Sequence, residues 1–343
     1  MGTAHGLASG LTSGQRRLQV GRTPTVLVRD DLKCAYPIVE GVPVLLAPER
    51  LVPAAGGPLF VDLDAPKYAE AYEEMDFYTA EADQAAAALD DWPVFQRLVG
   101  IRDLPPDERR KFPAPASRWL DSMYEPTAQW DAYRHLAPVD GQRVLQIGGK
   151  GHHAVTLLLA GASEAWLVSP MVSELLHAQE MARRLGLESR MHCVAGVAEE
   201  LPLPDGFLDA IYTISAHHMV ADLAFPECAR VLRPGGRFAA VEPWRAPLYR
   251  LGTTLLGKRQ VGVNCRPMTM RRVAPFLDAF PGGRVVHHGA LLRYPMLALM
   301  KFGVEPSLVT TWRVARVDDA VSSLIPGLRR MGSCAALLGA KTA

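Results

Sequence analysis

Six of the ten histidines stand in adjacent pairs, His152-His153, His217-His218 and His287-His288. An imidazole changes charge near neutral pH and ligates metals readily, so these pairs are the first candidates for chemistry. Two imidazoles and one carboxylate make the ligand set of a facial metal centre with positions left open for substrate or oxygen. His152 or His153, His217 or His218, and Glu242 compose one such set. It would hold iron, manganese, copper or zinc and do oxidative or hydrolytic chemistry on a small molecule. Without a metal, His218 or His153 is the candidate general base, with Glu242 as its neighbouring carboxylate. His287-His288 is read as edging a substrate cavity, His177 as a helix-face residue and His192 as a strand residue. Gly148-Gly149-Lys150-Gly151 offers glycine amides and a lysine ahead of a helix, a combination that favours anions. Its spacing is not that of a nucleoside-triphosphate loop.

These residues need elements to bring them together. From Arg143 onward, short apolar runs alternate with helical stretches, the signature of β-α-β units around a parallel sheet. Strands are predicted at Val144–Ile147, Ala165–Val168, Met191–Ala195, Leu208–Ile214 and Arg237–Val241, with Arg284–His288 and Ala335–Leu338 further on. Helices are predicted at His153–Leu159, Ser173–Leu185, Asp222–Val231 and Met270–Phe280. In such a fold the ligand crevice lies outside the carboxyl ends of the strands. His152-His153, His217-His218 and Glu242 each follow a strand, so they are expected to converge.

The 343 residues suffice for one large domain with an appendage. With 49% hydrophobic and 21% charged residues and a net charge of +1, the chain should fold, and it carries no global charge suited to nucleic acid. It has no apolar run long enough to span a bilayer and no apolar leader in Met1 to Gln19, so a cytoplasmic protein without membrane contact is expected. The five cysteines are scattered, with no C-x-x-C pair, and are expected to be reduced. No feature assigns an oligomeric state.

Residues 1–22 have no hydrophobic period and are expected to be flexible. Residues 23–60 read as a small β unit, with Glu40-Gly41 between two apolar runs as a hairpin turn. Residues 61–140 read as a helical cap, broken by prolines, with a last helix from Pro126 to Leu136. Residues 141–343 form the α/β domain, in which 245–280 is a substrate-covering insert. The aromatic and methionine content of 65–135 and 245–280 predicts a mainly apolar substrate pocket.

Two resemblances sharpen this reading. Tyr36, Pro37, Ile38, Gly41, Pro43 and Leu45 resemble the end of the zinc-ribbon-like activator module of tRNA methyltransferases. That module often carries four zinc cysteines where this chain has Cys34 alone, so a structural hairpin without metal is expected. The stretch from Val144 to Trp244 resembles the class I S-adenosylmethionine-dependent methyltransferases. The match lies in Leu201-Pro202-Leu203-Pro204-Asp205, Phe207-Leu208-Asp209-Ala210-Ile211, His217-His218 and Arg230-Val231-Leu232-Arg233-Pro234-Gly235-Gly236. It implies a doubly wound, Rossmann-like sheet with S-adenosylmethionine as cofactor and methyl transfer to a small-molecule substrate.

The cofactor positions of that family are altered here. Gln146 stands where an acid ends the first strand, and Lys150 and His152 occupy glycine positions. Ser169 replaces the acid that holds the ribose, and Val197 the acid that holds the adenine. The resemblance therefore implies atypical cofactor binding through Gln146, Gly148, Gly149, Gly151, Ser169 and Val197. It also implies that Ser169→Asp should tighten binding. A cofactor-independent metalloenzyme and a non-catalytic relative that binds a partner through the N-terminal unit are the alternatives.

Overall fold

The computed structural model describes residues 12–13, 16–20, 26–29, 35–46, 89–123, 125–247, 266–304 and 306–342. The helical stretch predicted within 65–88 and half of the 245–280 insert, 248–265, lie outside them.

The central sheet has seven strands: β6 (Arg143–Ile147), β7 (Glu164–Ser169), β8 (Met191–Ala195), β9 (Leu208–Thr213), β10 (Leu232–Pro243), β11 (Arg284–His288) and β12 (Cys334–Ala340). Their order is β11-β12-β10-β9-β6-β7-β8. All contacts from β10 through β8 are parallel, while β12 runs antiparallel to both β10 and β11. The inner strands are buried on both faces, which is why they read as mostly apolar runs, interrupted at Gln146 and Asp209, rather than as alternating ones. Order reverses at β6, with β7 on one side and β9 on the other, and this reversal opens a crevice at the carboxyl ends.

One face of the sheet is covered by α1 (Pro93–Arg102), α4 (Pro126–Leu136), α5 (His152–Leu159) and α6 (Val172–Arg184), whose apolar residues share one core. Two single turns, α2 (Pro106–Arg109) and α3 (Ala116–Trp119), lie between α1 and α4. The other face is covered by α7 (Ala221–Val231) and α8 (Met270–Ala279), around Phe225, Phe238, Phe276 and Phe280. Pro93, Pro106 and Pro126 each begin a helix, where the missing N–H costs nothing. Thus the prolines that break the helical region also set its starts. Helix α4 rests directly on the sheet: its Ala128, Ala132, Tyr133 and Leu136 are buried in the core that continues into the strands. Two C-terminal helices, α9 (Arg293–Lys301) and α10 (Leu308–Leu324), have no counterpart in the sequence reading. On them Leu299, Val317, Val321 and Leu324 face outward, which blurs the helical period.

The N-terminal sheet is β1 (Thr12–Ser13), β2 (Arg16–Val20), β3 (Val26–Arg29), β4 (Ala35–Val39) and β5 (Val42–Pro43), paired in sequence order. The pairing begins inside the stretch expected to be flexible. The turn at Glu40-Gly41 is as read: Val39 pairs with Val42, and both turn residues have positive φ, 48° and 84°. That is the backbone a two-residue hairpin of right-handed twist requires. Beyond it, Val44 bridges Ala195 in parallel, and the Leu45 amide donates to Ala195 O at 2.7 Å. The unit therefore covers the edge of β8, which would otherwise expose unpaired backbone groups. Among the described residues no helix is long and apolar enough to cross a membrane.

Candidate active site

A cavity of about 360 Å³ opens at the carboxyl ends of β6, β7 and β8 and against the turn after β9. Its walls include Gly148, Pro170, Gly196, Val197, Glu199 and His218. Gly148 donates its amide to Val168 O at 2.8 Å and has φ 73°. A Cβ at this position would overlap the Ser215 side chain, so only glycine lets the two loops approach. Gly151, at φ 80°, turns the chain into α5, and a Cβ there would overlap Ala178.

Gln146 is fully buried and does not line the cavity. Its Nε2 donates to Gly148 O at 2.7 Å, and its Oε1 accepts from the Ala154 amide at 2.7 Å. A carboxylate could make the second bond but not the first. The amide thus closes the glycine loop onto the first turn of α5, which makes Gln146 a positioning residue for the loop.

Ser169 is also buried. Its hydroxyl donates to Glu174 Oε2 at 3.0 Å and accepts from the Met171 amide at 3.2 Å. The acid missing from the strand end is therefore supplied from the first turn of α6. Burial raises the Glu174 carboxyl above its ordinary range, opposed by the Ser169 hydrogen bond and by the charges of Lys150 and His152. At the third strand Val197 does line the cavity, and two residues on Glu199 brings a carboxylate to the same wall, accepting the Val220 amide at 2.7 Å. The sequence reading missed both acids. Their only signal was local: five residues after Ser169, within one helical turn, and two residues after Val197.

His218 lines the cavity, and burial, His217 and Arg272 push it down to about 3, so its imidazole is neutral over the physiological range. Glu242, fully buried at the end of β10, accepts the Ala216 amide at 2.8 Å, the His217 amide at 3.0 Å and His217 Nδ1 at 2.7 Å. It holds the turn that presents His218. The expected convergence of His152-His153, His217-His218 and Glu242 on one ion is not what the structure has. Among the described residues the one group of three side chains placed to share a metal is Asp121, His152 and His153. The carboxylate comes from the loop before α4, because Glu242 is already occupied by the turn after β9.

Around this triad His152 Nε2 lies 3.0 Å from Asp121 Oδ2, and His153 Nδ1 lies 2.7 Å from the Tyr133 hydroxyl. Trp92 meets both His152 and His177 edge-on, at 5.4 Å between centroids. Burial, with the charge of His152, lowers His153 to about 3. Burial would raise the Asp121 carboxyl, but the two histidines and the hydrogen bonds from His152 and Gln129 hold it well below the usual carboxylate range.

His288 belongs to another cluster. Burial works to lower it, but the carboxylates of Asp131, 3.4 Å from Nε2, and Asp319, hydrogen-bonded to Nδ1 at 2.6 Å, raise it overall. It borders a second cavity of about 460 Å³ between α4, α9 and α10, lined by Met123, Met296, Met300, Arg293 and Cys334 among others. Cys334 pairs with Pro243, so this cavity adjoins the end of β10. It is mainly apolar, and Met123 and Glu125 in its wall come from the 61–140 segment.

Residues 145–240 match the family described as "Methyltransferase domain". An uncharacterized methyltransferase of Mycobacterium tuberculosis (strain ATCC 25618 / H37Rv) is 36% identical over 123 residues, covering 36% of this chain and 47% of that protein. A fatty-acid O-methyltransferase of Mycolicibacterium smegmatis is 33% identical over 125 residues, 36% of this chain and 42% of that protein. The chain thus spans about half the length of the curated relatives it matches. Among solved structures, geranyl diphosphate C-methyltransferase from Streptomyces coelicolor A3(2), bound to Mg2+, geranyl diphosphate and S-adenosyl-L-homocysteine, is 19% identical with a TM-score of 0.43. That alignment covers 63% of this chain and 78% of the other. The match to the methyltransferase-domain family runs from β6 to the middle of β10, the stretch whose sequence motifs resemble it.

Proposed function

We propose that the protein is an S-adenosylmethionine-dependent methyltransferase acting on a small molecule. The observation that carries this reading is the cavity between Gly148 and the Gly196-Val197-Ala198 turn, at the reversal point of a sheet whose central segment matches the methyltransferase domain. The cavity fits the adenosyl part of the donor. Its walls are apolar at Val168 and Pro170 and carry the backbone of Gly148 and Gly196. Glu199 supplies a carboxylate at its wall, and Glu174, through Ser169, supplies the nearest acid at the end of β7.

When bound, S-adenosylmethionine supplies an electrophilic methyl group. The chain's own part is to hold the acceptor in line and to manage its proton. His218 is the group placed for the second task, kept neutral by burial and oriented by the turn that Glu242 fixes. An imidazole held near 3 is a weak base. The apolar cavity bordered by Cys334 and Arg293, beside the strand that pairs with the end of β10, is the place for the acceptor's body in this reading.

Calorimetric titration with S-adenosylhomocysteine tests the reading. A micromolar dissociation constant is expected, and the absence of any binding heat at millimolar ligand would overturn it.

A further inference from the structure

We propose that Asp121, His152 and His153 form a binding site for a divalent first-row transition metal. The three side chains offer two imidazole nitrogens and one carboxylate oxygen, all within 4.8 Å of one another. His152 Nε2 and Asp121 Oδ2 stand 3.0 Å apart. Two ligands at right angles, each about 2.1 Å from an ion, are separated by about that distance.

The supports behind the ligands are already built. His153 Nδ1 meets the Tyr133 hydroxyl at 2.7 Å, which leaves Nε2 for the ion. Gln129 on α4 binds the loop of Asp121 through both its amide atoms. Its Oε1 accepts the Asp121 and Ser122 amides at 3.0 and 2.9 Å, and its Nε2 donates to Asp121 Oδ1 and lies 3.3 Å from the Tyr133 hydroxyl. One buried glutamine thus orients the carboxylate and braces the tyrosine that orients an imidazole. Such outer contacts fix ligand orientation in metal sites. The ligand types favour iron, cobalt, nickel or zinc over the hard cations that prefer oxygen alone. The positive end of α5 works against a cation here, and the Asp121 carboxylate offsets it. An ion in this place ties the loop before α4 to the first turn of α5, directly behind the glycine loop.

The test uses full-length protein without a histidine tag, stripped with chelator and titrated with Zn(II) and with Co(II). About one equivalent per chain is expected, with a rise in melting temperature and, for Co(II), visible ligand-field absorption. Asp121→Asn and His152→Ala should each weaken binding by about tenfold or more, while His192→Gln on β8 should not change it. X-ray absorption of the wild-type zinc complex gives a readout that needs no variant to fold, and it should show two imidazole nitrogens with oxygen ligands. The proposal is overturned by lack of saturable uptake, by an oxygen-only coordination shell, or by uptake that folded Asp121→Asn and His152→Ala proteins retain in full.

Discussion

Ser169→Asp restores the acid that the family resemblance expects at the end of β7, yet the structure predicts no tighter donor binding. The Ser169 hydroxyl lies 3.0 Å from Glu174 Oε2, so the new carboxylate would face an existing one. At an effective dielectric constant of about 20, two unit charges this close repel by about 5 kcal/mol. A charge-assisted hydrogen bond to a ribose hydroxyl returns only about 1.5–3 kcal/mol. Repulsion wins, and the pair takes up a proton, the more readily because burial already raises Glu174. The shared proton also fixes the sign of the stability change. In the variant the folded state holds a proton that the unfolded chain releases above about pH 4, so stability falls as pH rises from there towards the raised folded value. Ser169→Asp/Glu174→Gln removes the conflict and should bind S-adenosylhomocysteine about 10- to 150-fold more tightly than the wild type. Titration calorimetry on the three proteins at pH 7 measures this. Tighter binding by the single variant with Glu174 in place, or no gain in the double variant, would refute the reasoning.

Glu242→Gln keeps one acceptor for the three donors of the turn at 216–218, and should cost about 2–4 kcal/mol in urea unfolding. It should weaken S-adenosylhomocysteine binding while leaving zinc stoichiometry at Asp121, His152 and His153 unchanged. His218 titrates at about 3 in the folded chain against an ordinary 6.5, so the unfolded state binds the extra proton between these values. Its contribution is intact above pH 6.5 and is lost as pH falls, by up to about 2 kcal/mol at pH 5. His218→Asn should accordingly lose less stability than the wild type between pH 7.5 and pH 5 in urea melts.

The sheet was legible because buried parallel strands are written as mostly apolar runs, as at Ala165–Val168, and because Glu40-Gly41 admits few conformations other than a tight turn. Gly148, Val197 and His218 were legible as cavity residues because motif position fixes where a strand ends. The polar partners were harder. Gln146 and Ser169 sit at motif positions but turn inward, and nothing in the motif says that an amide will close a loop or that a serine will point at a helix. Glu174 and Glu199 were within local reach of those positions, so a search one helical turn onward finds them. Asp121 carried no spacing signal at all. It reaches His152 because Gln129 of α4 holds its loop over the first turn of α5, a contact that only tertiary packing creates.

The central claim is that a nucleoside can be held at this crevice by glycine backbone and helix-borne acids instead of strand-end carboxylates. Crystals grown with excess S-adenosylhomocysteine address it most directly. The account predicts adenine density between Gly148 and Val197, with Glu199 in contact. A crevice filled only by solvent at saturating ligand, or a nucleoside bound elsewhere, would contradict it.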